Sequence, residues 1–445
     1  MPSRTEEGRA LRARVPRSSH AEWKPGRKRR DPVEIVIESS RGRVPRLVPI
    51  RYQRMLQSPF SFFRGAASIM AEDLARTPRS GLRVQACGDS HLLNFGVFAT
   101  PERRRIFDIN DFDETLPAPW EWDVKRLAAS LVIAGRHLRF SRRDARAAAV
   151  AAVRSYRRHM AVYAGEPALD AWYARIDAVP QLIEDPELRG EYAHAVRRQK
   201  QRDETREHHD LTHRGGRKPR IKSEPPLVYH PGAGDDPRFA GNVEAALRRY
   251  RDSLPDERRP LYDRFELCDV AMKVVGVGSV GTVCAVALFL DRNRNPLYLQ
   301  IKQARASVLE PHAGASRYDN QGERVVVGQR LMQTASDVFL GWTRGDRGRH
   351  FYVRQLRDWK VKPALELMRP PNLVRYGEIC GWALARAHAR CGDPSALAGY
   401  IGRTDTFDHA IADFAVAYAN QNERDHAALV AAVRAHRIEA QTEPS

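Results

Sequence analysis

The chain has few cysteines, and nothing in their spacing joins them. The five cysteines of its 445 residues are scattered, with no C-x-x-C pair. This pattern argues against a disulfide framework and against a structural zinc site. Long apolar runs are also missing. The longest uncharged stretch, Val274 to Leu290, contains three glycines and is shorter than the about 20 residues of a membrane helix. Because the N-terminus also lacks the apolar segment of a signal peptide, we expect a cytoplasmic protein with no membrane span.

Positive charge is abundant but unevenly distributed. Lys and Arg together number 74 against 55 for Asp and Glu, a formal net charge of +19. Residues 1–30 hold ten basic and three acidic side chains, and residues 197–222 hold ten and four. Both stretches have little apolar periodicity, which predicts solvated or disordered segments. Contact with nucleic acid or another anionic partner through these segments is the alternative.

A glycine-rich motif lies between two apolar runs. Gly276, Gly278, Ser279 and Gly281 belong to the pattern G-x-G-x-x-G-x-V. The β-branched and apolar residues 283–289 that follow predict a second strand, whereas a dinucleotide-binding fold requires a helix there. Strand, glycine turn and strand is the arrangement that covers the phosphates of ATP in protein kinases. We therefore predict a nucleotide-binding turn, and a dinucleotide-dependent oxidoreductase is a distant alternative.

A kinase-type turn also requires a lysine on the third strand of the same sheet, to pair with the phosphates. The predicted strand LYLQIK, residues 297–302, ends in Lys302. A carboxylate on the next helix should hold this lysine. Glu323 or Glu310 could supply it, and we favour Glu323.

The segment CGDSHLLNFG, residues 87–96, contains a second group of candidate residues. Asp89 precedes Asn94 by five residues, the spacing at which a catalytic aspartate accepts a hydroxyl proton while an asparagine binds Mg²⁺. Asp111 follows in the sequence NDFD, and a hard cation that bridges phosphates prefers carboxylate oxygen. We predict Asp89 and Lys302 as catalytic residues, with Asn94 and Asp111 as metal ligands. His91 and Arg64 are weaker candidates for a phosphate contact and stay outside the predicted site.

These motifs carry a resemblance to known families. GDSHLLN resembles the catalytic loop of the aminoglycoside phosphotransferase and choline kinase branch of the kinase-like fold, with Cys87 in place of the usual histidine. In that branch an aspartate, here Asp123 of WEWDVKRL, supports the catalytic loop through hydrogen bonds. Residues 45–425 resemble more closely a bacterial family known as domain of unknown function 2252, through SPFSFFRG, CGDSHLLNFG, NDFDET, PWEWDVKRL, VVGVGSVGT and LQIKQA.

The order of the motifs is inverted relative to kinases, in which the glycine turn comes first. The resemblance therefore implies an α+β, two-lobed, kinase-like fold that is circularly permuted. The domain prediction assigns five parts: a basic, disordered tail at 1–45, the catalytic-loop half of the large lobe at 46–200, a basic and Pro/Gly-rich excursion or linker at 201–260, a small ATP-binding lobe at 261–360 and the remaining large-lobe helices at 361–445.

The expected function is phosphoryl transfer from ATP, with Mg²⁺, to an unidentified small-molecule or protein acceptor that bears a hydroxyl group. Transfer of a nucleotidyl group from the same site is one alternative. A non-catalytic protein that binds nucleotide or nucleic acid is another. Asp89, Asn94, Asp111 and Lys302 together favour chemistry over binding alone.

Overall fold

The chain folds as a mixture of helices and mostly antiparallel strands, in agreement with the predicted α+β class. The computed structural model describes residues 2–177, 186, 189–190, 212–213, 219–231, 238–274, 276–356, 361 and 363–441. The α-helices are Arg4–Arg14 (α1), Pro32–Ser40 (α2), Val48–Leu56 (α3), Pro59–Gly65 (α4), Ala67–Leu74 (α5), Trp120–His137 (α6), Arg142–Gly165 (α7), Ala168–Tyr173 (α8), Phe239–Arg251 (α9), Arg259–Tyr262 (α10), Glu310–Ala313 (α11), Gln321–Met332 (α12), Pro370–Cys391 (α13), Pro394–Ile401 (α14) and Thr406–Arg434 (α15). The strands are Arg83–Ala86 (β1), Phe95–Ala99 (β2), Arg105–Ile109 (β3), Leu116–Pro119 (β4), Thr212–His213 (β5), Arg220–Ile221 (β6), Val228–Tyr229 (β7), Glu266–Lys273 (β8), Cys284–Leu290 (β9), Pro296–Ala304 (β10), Gly341–Arg344 (β11) and His350–Gln355 (β12).

A six-stranded antiparallel sheet contains the glycine motif, in the strand order β11-β12-β10-β9-β8-β7. Strands β8 and β9 pair with Met272 opposite Ala285, so the glycines join two strands of a hairpin. This confirms the predicted strand, glycine turn and strand. Lys302 lies on β10 between Cys284 of β9 and Tyr352 of β12. The third-strand position predicted for this lysine is therefore also confirmed.

The two faces of this sheet have different environments. Because side chains alternate along a strand, Ile301 and Lys302 point to opposite sides. Ile301 packs in an apolar cluster with Val243 and Tyr250 of α9. Helix α9 lies within the region predicted to be an excursion or linker, so residues 239–262 fold onto the sheet instead. Most of the basic stretch 197–222 lies outside the described residues.

The catalytic-loop half is built on two short strand pairs and a group of long helices. Strand β1 pairs with β4, and the predicted hairpin of β2 and β3 forms with Phe95 opposite Ile109. Helices α6 and α7 pack with α13 and α15 around one buried core. Gly381 permits the closest approach, because a Cβ there would lie 2.0 Å from the carbonyl oxygen of Ala152 on α7.

The N-terminal segment is ordered, which corrects the prediction of a disordered tail over residues 1–45. Arg12 and Arg17 donate to the carbonyl oxygens of Tyr400 and Ile401 in the last turn of α14, each at 2.8 Å. The buried Arg29 forms ion pairs with two buried aspartates, at 2.8 and 2.6 Å. Composition suggested solvated charges, but tertiary contacts pair these arginines with helix carbonyls and carboxylates.

No helix in the described ranges is both long enough and apolar enough to cross a bilayer. None of the five cysteines, all of which lie in the described ranges, forms a disulfide bond.

Candidate functional site

A cavity of about 290 Å³ lies where the catalytic-loop half meets the six-stranded sheet. Its lining includes every predicted site residue except Gly281, Lys302 and Glu323. Residues far apart in the chain therefore face one cavity, as the inverted motif order requires. The charged side chains of the lining are Arg43, Arg51, Arg64, Asp89, Asp111, Asp113, Glu114 and Arg305.

The catalytic loop is a tight turn after β1. Gly88 has φ +83°, and a Cβ at this position would lie 2.3 Å from the carbonyl oxygen of Glu114. A glycine is therefore required both for the backbone conformation and for the close approach. Asn94 donates its side-chain amide to the carbonyl oxygen of Asp89 at 2.7 Å. This bond closes the five-residue loop that the spacing predicted.

Asp123 of α6 holds the predicted catalytic loop in place through hydrogen bonds. Its buried carboxylate accepts hydrogen bonds from the backbone N–H groups of Cys87, at 2.6 Å, and Gly88, at 2.9 Å. His388 of α13 lies on the other side, with Nε2 3.2 Å from the same carboxylate. The supporting role implied by the family resemblance is therefore confirmed.

Asp89 faces the cavity with one oxygen already engaged. The buried Arg126 donates from Nε to Asp89 Oδ1 at 2.6 Å. Nε2 of His91 lies 4.0 Å from the other oxygen, Oδ2. Arg126 is three residues after Asp123 on α6, so a single helix turn both supports the loop and orients its aspartate.

Asp111 and Asn94 lie in the lining as the two predicted metal ligands. The Asp111 side chain is 33% exposed, and its Oδ1 accepts from the backbone N–H of Asp113 at 3.1 Å. Because Asn94 uses its amide nitrogen to bond Asp89, its side-chain oxygen stays available to a cation. Across the described part of the chain, no group of three or more His, Cys, Asp or Glu side chains could hold a metal by itself. Two oxygen ligands fit Mg²⁺ when nucleotide phosphates and water complete its coordination.

Lys302 is buried on one face of the sheet and is paired with the segment NDFD, residues 110–113, which contains the predicted metal ligand Asp111 and is called the metal motif below. Its Nζ contacts the carboxylate of Asp113 and lies 3.8 Å from Asp111 Oδ2. Burial alone disfavours the ammonium form, but the two carboxylates outweigh burial and raise the Lys302 pKa well above its usual value. Tyr352 donates its hydroxyl to the other oxygen of Asp113 at 2.8 Å. The lysine is thus held as a cation at the edge of the cavity.

The predicted partner of Lys302 is wrong. Neither Glu323 nor Glu310 has an oxygen within ion-pair distance of Nζ, and the partners are Asp113 and Asp111. Helix α12 contributes Arg324 instead of Glu323. The buried Arg324 donates to the carbonyl oxygen of Asp113 at 2.8 Å and so positions the carboxylate that pairs with the lysine.

The glycine turn closes one wall of the cavity. Gly276 and Gly281 have positive φ values of +67° and +84°. Ser279 donates from Oγ to Asp113 Oδ2 at 3.3 Å. Arg43 donates to the carbonyl oxygen of Val280 at 2.6 Å and so ties the turn to the N-terminal segment. The turn therefore contacts the metal motif, although 166 residues separate Ser279 from Asp113.

Sequence reasoning missed several charged residues of the site. Glu114 is half-buried in the lining, and the loss of solvation there raises its pKa to about 7. Arg43 is also half-buried, and loss of solvation together with the nearby Arg51 and Arg305 lowers its pKa to about 8. The acidic pattern NDFDE, residues 110–114, could have indicated that Asp113 and Glu114 belong to the site. Arg43 gave no such indication, because it lies in a segment that resembles a solvated tail.

Further contacts hold the two halves together around the site. The buried Arg386 of α13 donates to Asp108 of β3 at 2.6 Å. Gln333 donates to the carbonyl oxygen of Ile109 at 2.6 Å, and Arg324 to that of Thr115 at the same distance. These bonds place the strand that precedes Asp111 against the segment that follows β10.

Comparison with known proteins identifies the family but no activity. No curated protein and no solved structure matches the chain at a significant level. The model of a family described as an uncharacterized protein conserved in bacteria, DUF2252, matches residues 43–432. This match includes both halves of the cavity and all the motifs discussed above. The chain therefore belongs to the DUF2252 family of bacterial proteins.

Proposed function

We propose that this protein is an ATP- and Mg²⁺-dependent phosphotransferase with a circularly permuted kinase-like fold. The observation that carries the proposal is the convergence of Asp89, Asn94 and Asp111 with the glycine turn on one cavity, beside Lys302. Each of these groups meets a separate requirement of phosphoryl transfer.

The strand order supports the kinase-like part of this proposal. A glycine hairpin, a lysine on the third strand and a following helix, α12, occur in that order along residues 266–332. The catalytic loop, the hairpin of β2 and β3 and the metal motif occur in kinase order along residues 87–113. Only the order of the two blocks is exchanged, which is the consequence of a circular permutation.

Each residue has a defined role in the proposed reaction. Asp111 and Asn94 would hold Mg²⁺, which neutralises charge on the phosphate oxygens when bound. Lys302 pairs with phosphate oxygens of ATP, and the backbone of the glycine turn covers them. Asp89 Oδ2 accepts the proton of the acceptor hydroxyl while the hydroxyl oxygen bonds to the γ-phosphorus. The bond between that phosphorus and its bridging oxygen breaks, and ADP leaves.

The first test is nucleotide binding, because it requires no knowledge of the acceptor. The thermal stability of the wild type would be measured with ATP and with ADP, each with and without Mg²⁺. A ligand at 100 times its Kd stabilises the native state by about 2.7 kcal/mol. We expect a Mg²⁺-dependent shift that Asp111→Ala abolishes. Asp170→Ala, which removes an exposed aspartate of α8, is the matched control and should behave as the wild type.

No shift with any nucleotide at millimolar concentration would contradict the proposal. In that case the glycine turn is an ordinary hairpin loop. The basic stretches 1–30 and 197–222 then become the main functional candidates. Steep salt dependence of RNA or DNA binding would then be the measurement of choice.

A non-catalytic nucleotide-binding role is the second candidate, and the Arg126–Asp89 ion pair favours it because it occupies one oxygen of the proposed base. The Asp89→Asn variant separates the two roles. A catalyst should lose turnover in this variant and keep the nucleotide shift. Product analysis separates the two transfer reactions, since ADP indicates phosphoryl transfer and inorganic diphosphate indicates nucleotidyl transfer. Full activity of Asp89→Asn would remove Asp89 as the base.

A further inference from the structure

Arg64 differs from the other arginines of the lining, because it has no hydrogen-bond or ion-pair partner among the described residues. It lies near the end of α4, lines the cavity, and its Nε is buried without a hydrogen-bond partner among the described residues. The central carbon of its guanidinium lies 5.9 Å from the centroid of the Phe60 ring. A buried N–H group that forms no hydrogen bond is costly, so the position of Nε suggests a ligand.

The other arginines of the lining are engaged by the protein itself. Arg43 and Arg305 donate to main-chain carbonyl oxygens of residues 39–41 and 280. Arg51 donates to Ser40 Oγ and to the carbonyl oxygen of Gly65. These three arginines hold the walls of the cavity together. Arg64 takes no part in this network and is available to a bound molecule.

His91 provides a second unpartnered polar atom in the same lining. The side chain is only 5% exposed, and its Nδ1 is buried without a hydrogen-bond partner in the described ranges. Nδ1 of the imidazole can therefore form one hydrogen bond to a ligand.

The charged groups of the lining have different neighbours. Arg43 interacts electrostatically with Asp113, the partner of Lys302, and with Glu114. Arg64 and His91 interact electrostatically with Asp89 instead. In the proposed reaction Lys302 binds the nucleotide phosphates, and Asp89 defines the acceptor end. Arg64 and His91 thus lie beside the group that accepts the hydroxyl proton.

We propose that the acceptor carries an anionic group, a phosphate or a carboxylate, that binds Arg64 and His91 while its hydroxyl group lies at Asp89. The guanidinium presents a planar fork of donors that matches two oxygens of either anion. This inference rests on the proposed phosphotransferase function, because Asp89 defines the acceptor end. It restricts the acceptor to two classes. One is small anionic hydroxy compounds, and the other is hydroxyl side chains of an acceptor protein that lie beside a phosphate or carboxylate group.

The test uses anion binding to the protein with its nucleotide end filled. The full-length protein would be saturated with Mg²⁺ and a non-hydrolysable ATP analogue, and inorganic phosphate or acetate would then be titrated while thermal stability is followed. We expect a saturable shift with at least one anion, and comparison of the two separates phosphate from carboxylate recognition. Arg64→Gln should weaken anion binding tenfold or more and leave the shift caused by the nucleotide analogue unchanged. Arg79→Gln, which removes an exposed arginine outside the lining, should match the wild type.

Two results would overturn the inference. One is an anion shift that disappears when the nucleotide analogue is bound, since Arg64 would then serve a nucleotide phosphate. The other is an anion shift that Arg64→Gln retains. If Arg64→Gln fails to fold, Arg64→Lys and His91→Asn provide the same comparison, and unchanged anion affinity in both variants would overturn the inference. An Arg64-dependent phosphate shift without any nucleotide shift supports the anion site and overturns only the phosphotransferase proposal.

Turnover provides an independent measurement of the same preference. ADP release would be compared for glycerol, glycerol 3-phosphate and glycerate, which share a hydroxyl group and differ in charge. We expect the anionic compounds to have KM values at least tenfold lower than glycerol, and Arg64→Gln to remove that difference by raising KM. Equal KM values for glycerol and both anionic compounds would count against an anionic acceptor.

Discussion

The support of the catalytic loop by Asp123 allows a quantitative prediction. Its carboxylate accepts two backbone hydrogen bonds, from Cys87 at 2.6 Å and from Gly88 at 2.9 Å, and all three residues are buried or nearly so. A hydrogen bond to a charged group contributes about 1.5 to 3 kcal/mol. Asp123→Ala removes both bonds and leaves two N–H groups without partners. We therefore expect it to lower the free energy of unfolding by about 3 to 6 kcal/mol.

Asp123→Asn gives a graded version of the same change. The amide retains one acceptor oxygen but presents an NH₂ group toward the second backbone N–H. The expected loss is about half that of the alanine variant, about 1.5 to 3 kcal/mol. Asp413→Asn is the matched control. It disrupts an exposed ion pair with Arg146 and should cost about 1 kcal/mol or less.

Urea unfolding followed by tryptophan fluorescence would measure these differences. Trp120 and Trp122 are buried on α6 within three residues of the aspartate, so their fluorescence reports on this region. Because the same loop carries Asp89, the Mg²⁺-nucleotide shift should also weaken in the Asp123 variants. The reasoning is refuted if Asp123→Ala unfolds at the same urea concentration as Asp413→Asn.

Three further predictions concern other parts of the chain. Gly88→Ala would place a Cβ 2.3 Å from the carbonyl oxygen of Glu114, at a residue with positive φ. This change should lower the free energy of unfolding by about 2 kcal/mol or more. Gly165→Ala is the control and should change the melting temperature little, because there is open space around Gly165. Arg29→Met would leave two buried carboxylates without their cation and should lower the free energy of unfolding by about 3 to 5 kcal/mol. An unchanged melting temperature would show that these ion pairs do not stabilise the fold. Burial lowers the pKa of His20 from its usual 6.5 to about 2, so below pH 6.5 the unfolded chain binds a proton that the native state does not, and stability falls as pH decreases. Between pH 7 and pH 4.5 the free energy of unfolding of His20→Gln should therefore fall by about 3 kcal/mol less than that of the wild type. Parallel pH profiles of the two proteins in urea unfolding would show that His20 does not cause the pH dependence.

Much of the local structure could be predicted because it depends on short-range patterns. The apolar run after Gly281 predicted a strand, and β9 begins at Cys284. The apolar residues and the charged turn before LYLQIK predicted the strand that carries Lys302. The spacing of Asp89 and Asn94 predicted a loop, and a hydrogen bond from the Asn94 side chain to the carbonyl oxygen of Asp89 closes it. In each case the signal and the structure involve residues within one turn or one hairpin.

Charged segments were harder to interpret, because composition does not reveal what a charge contacts. The basic residues of the first 30 positions predicted solvation or contact with nucleic acid. In the structure Arg12 and Arg17 bind the carbonyl oxygens at the end of α14, and Arg29 is buried between two aspartates. These partners lie more than 380 residues away, with the exception of one aspartate 44 residues from Arg29. Helix α9 was missed for a similar reason, since its buried face is recognisable only beside the sheet that it covers.

The sequence by itself determined which chemical groups are available: an aspartate and an asparagine on one loop, a second aspartate after a strand, a glycine turn and a lysine. Local hydrogen bonding and side-chain alternation were sufficient to place each of them on its element. Only the tertiary structure decided which groups meet. The pairing of Lys302 with Asp113, across 189 residues, replaced the expected pairing with Glu323, because the two halves fold against each other and bring the metal motif under the sheet. The same packing left Nε of Arg64 without a hydrogen-bond partner in the described part of the chain, which no spacing along the sequence could indicate.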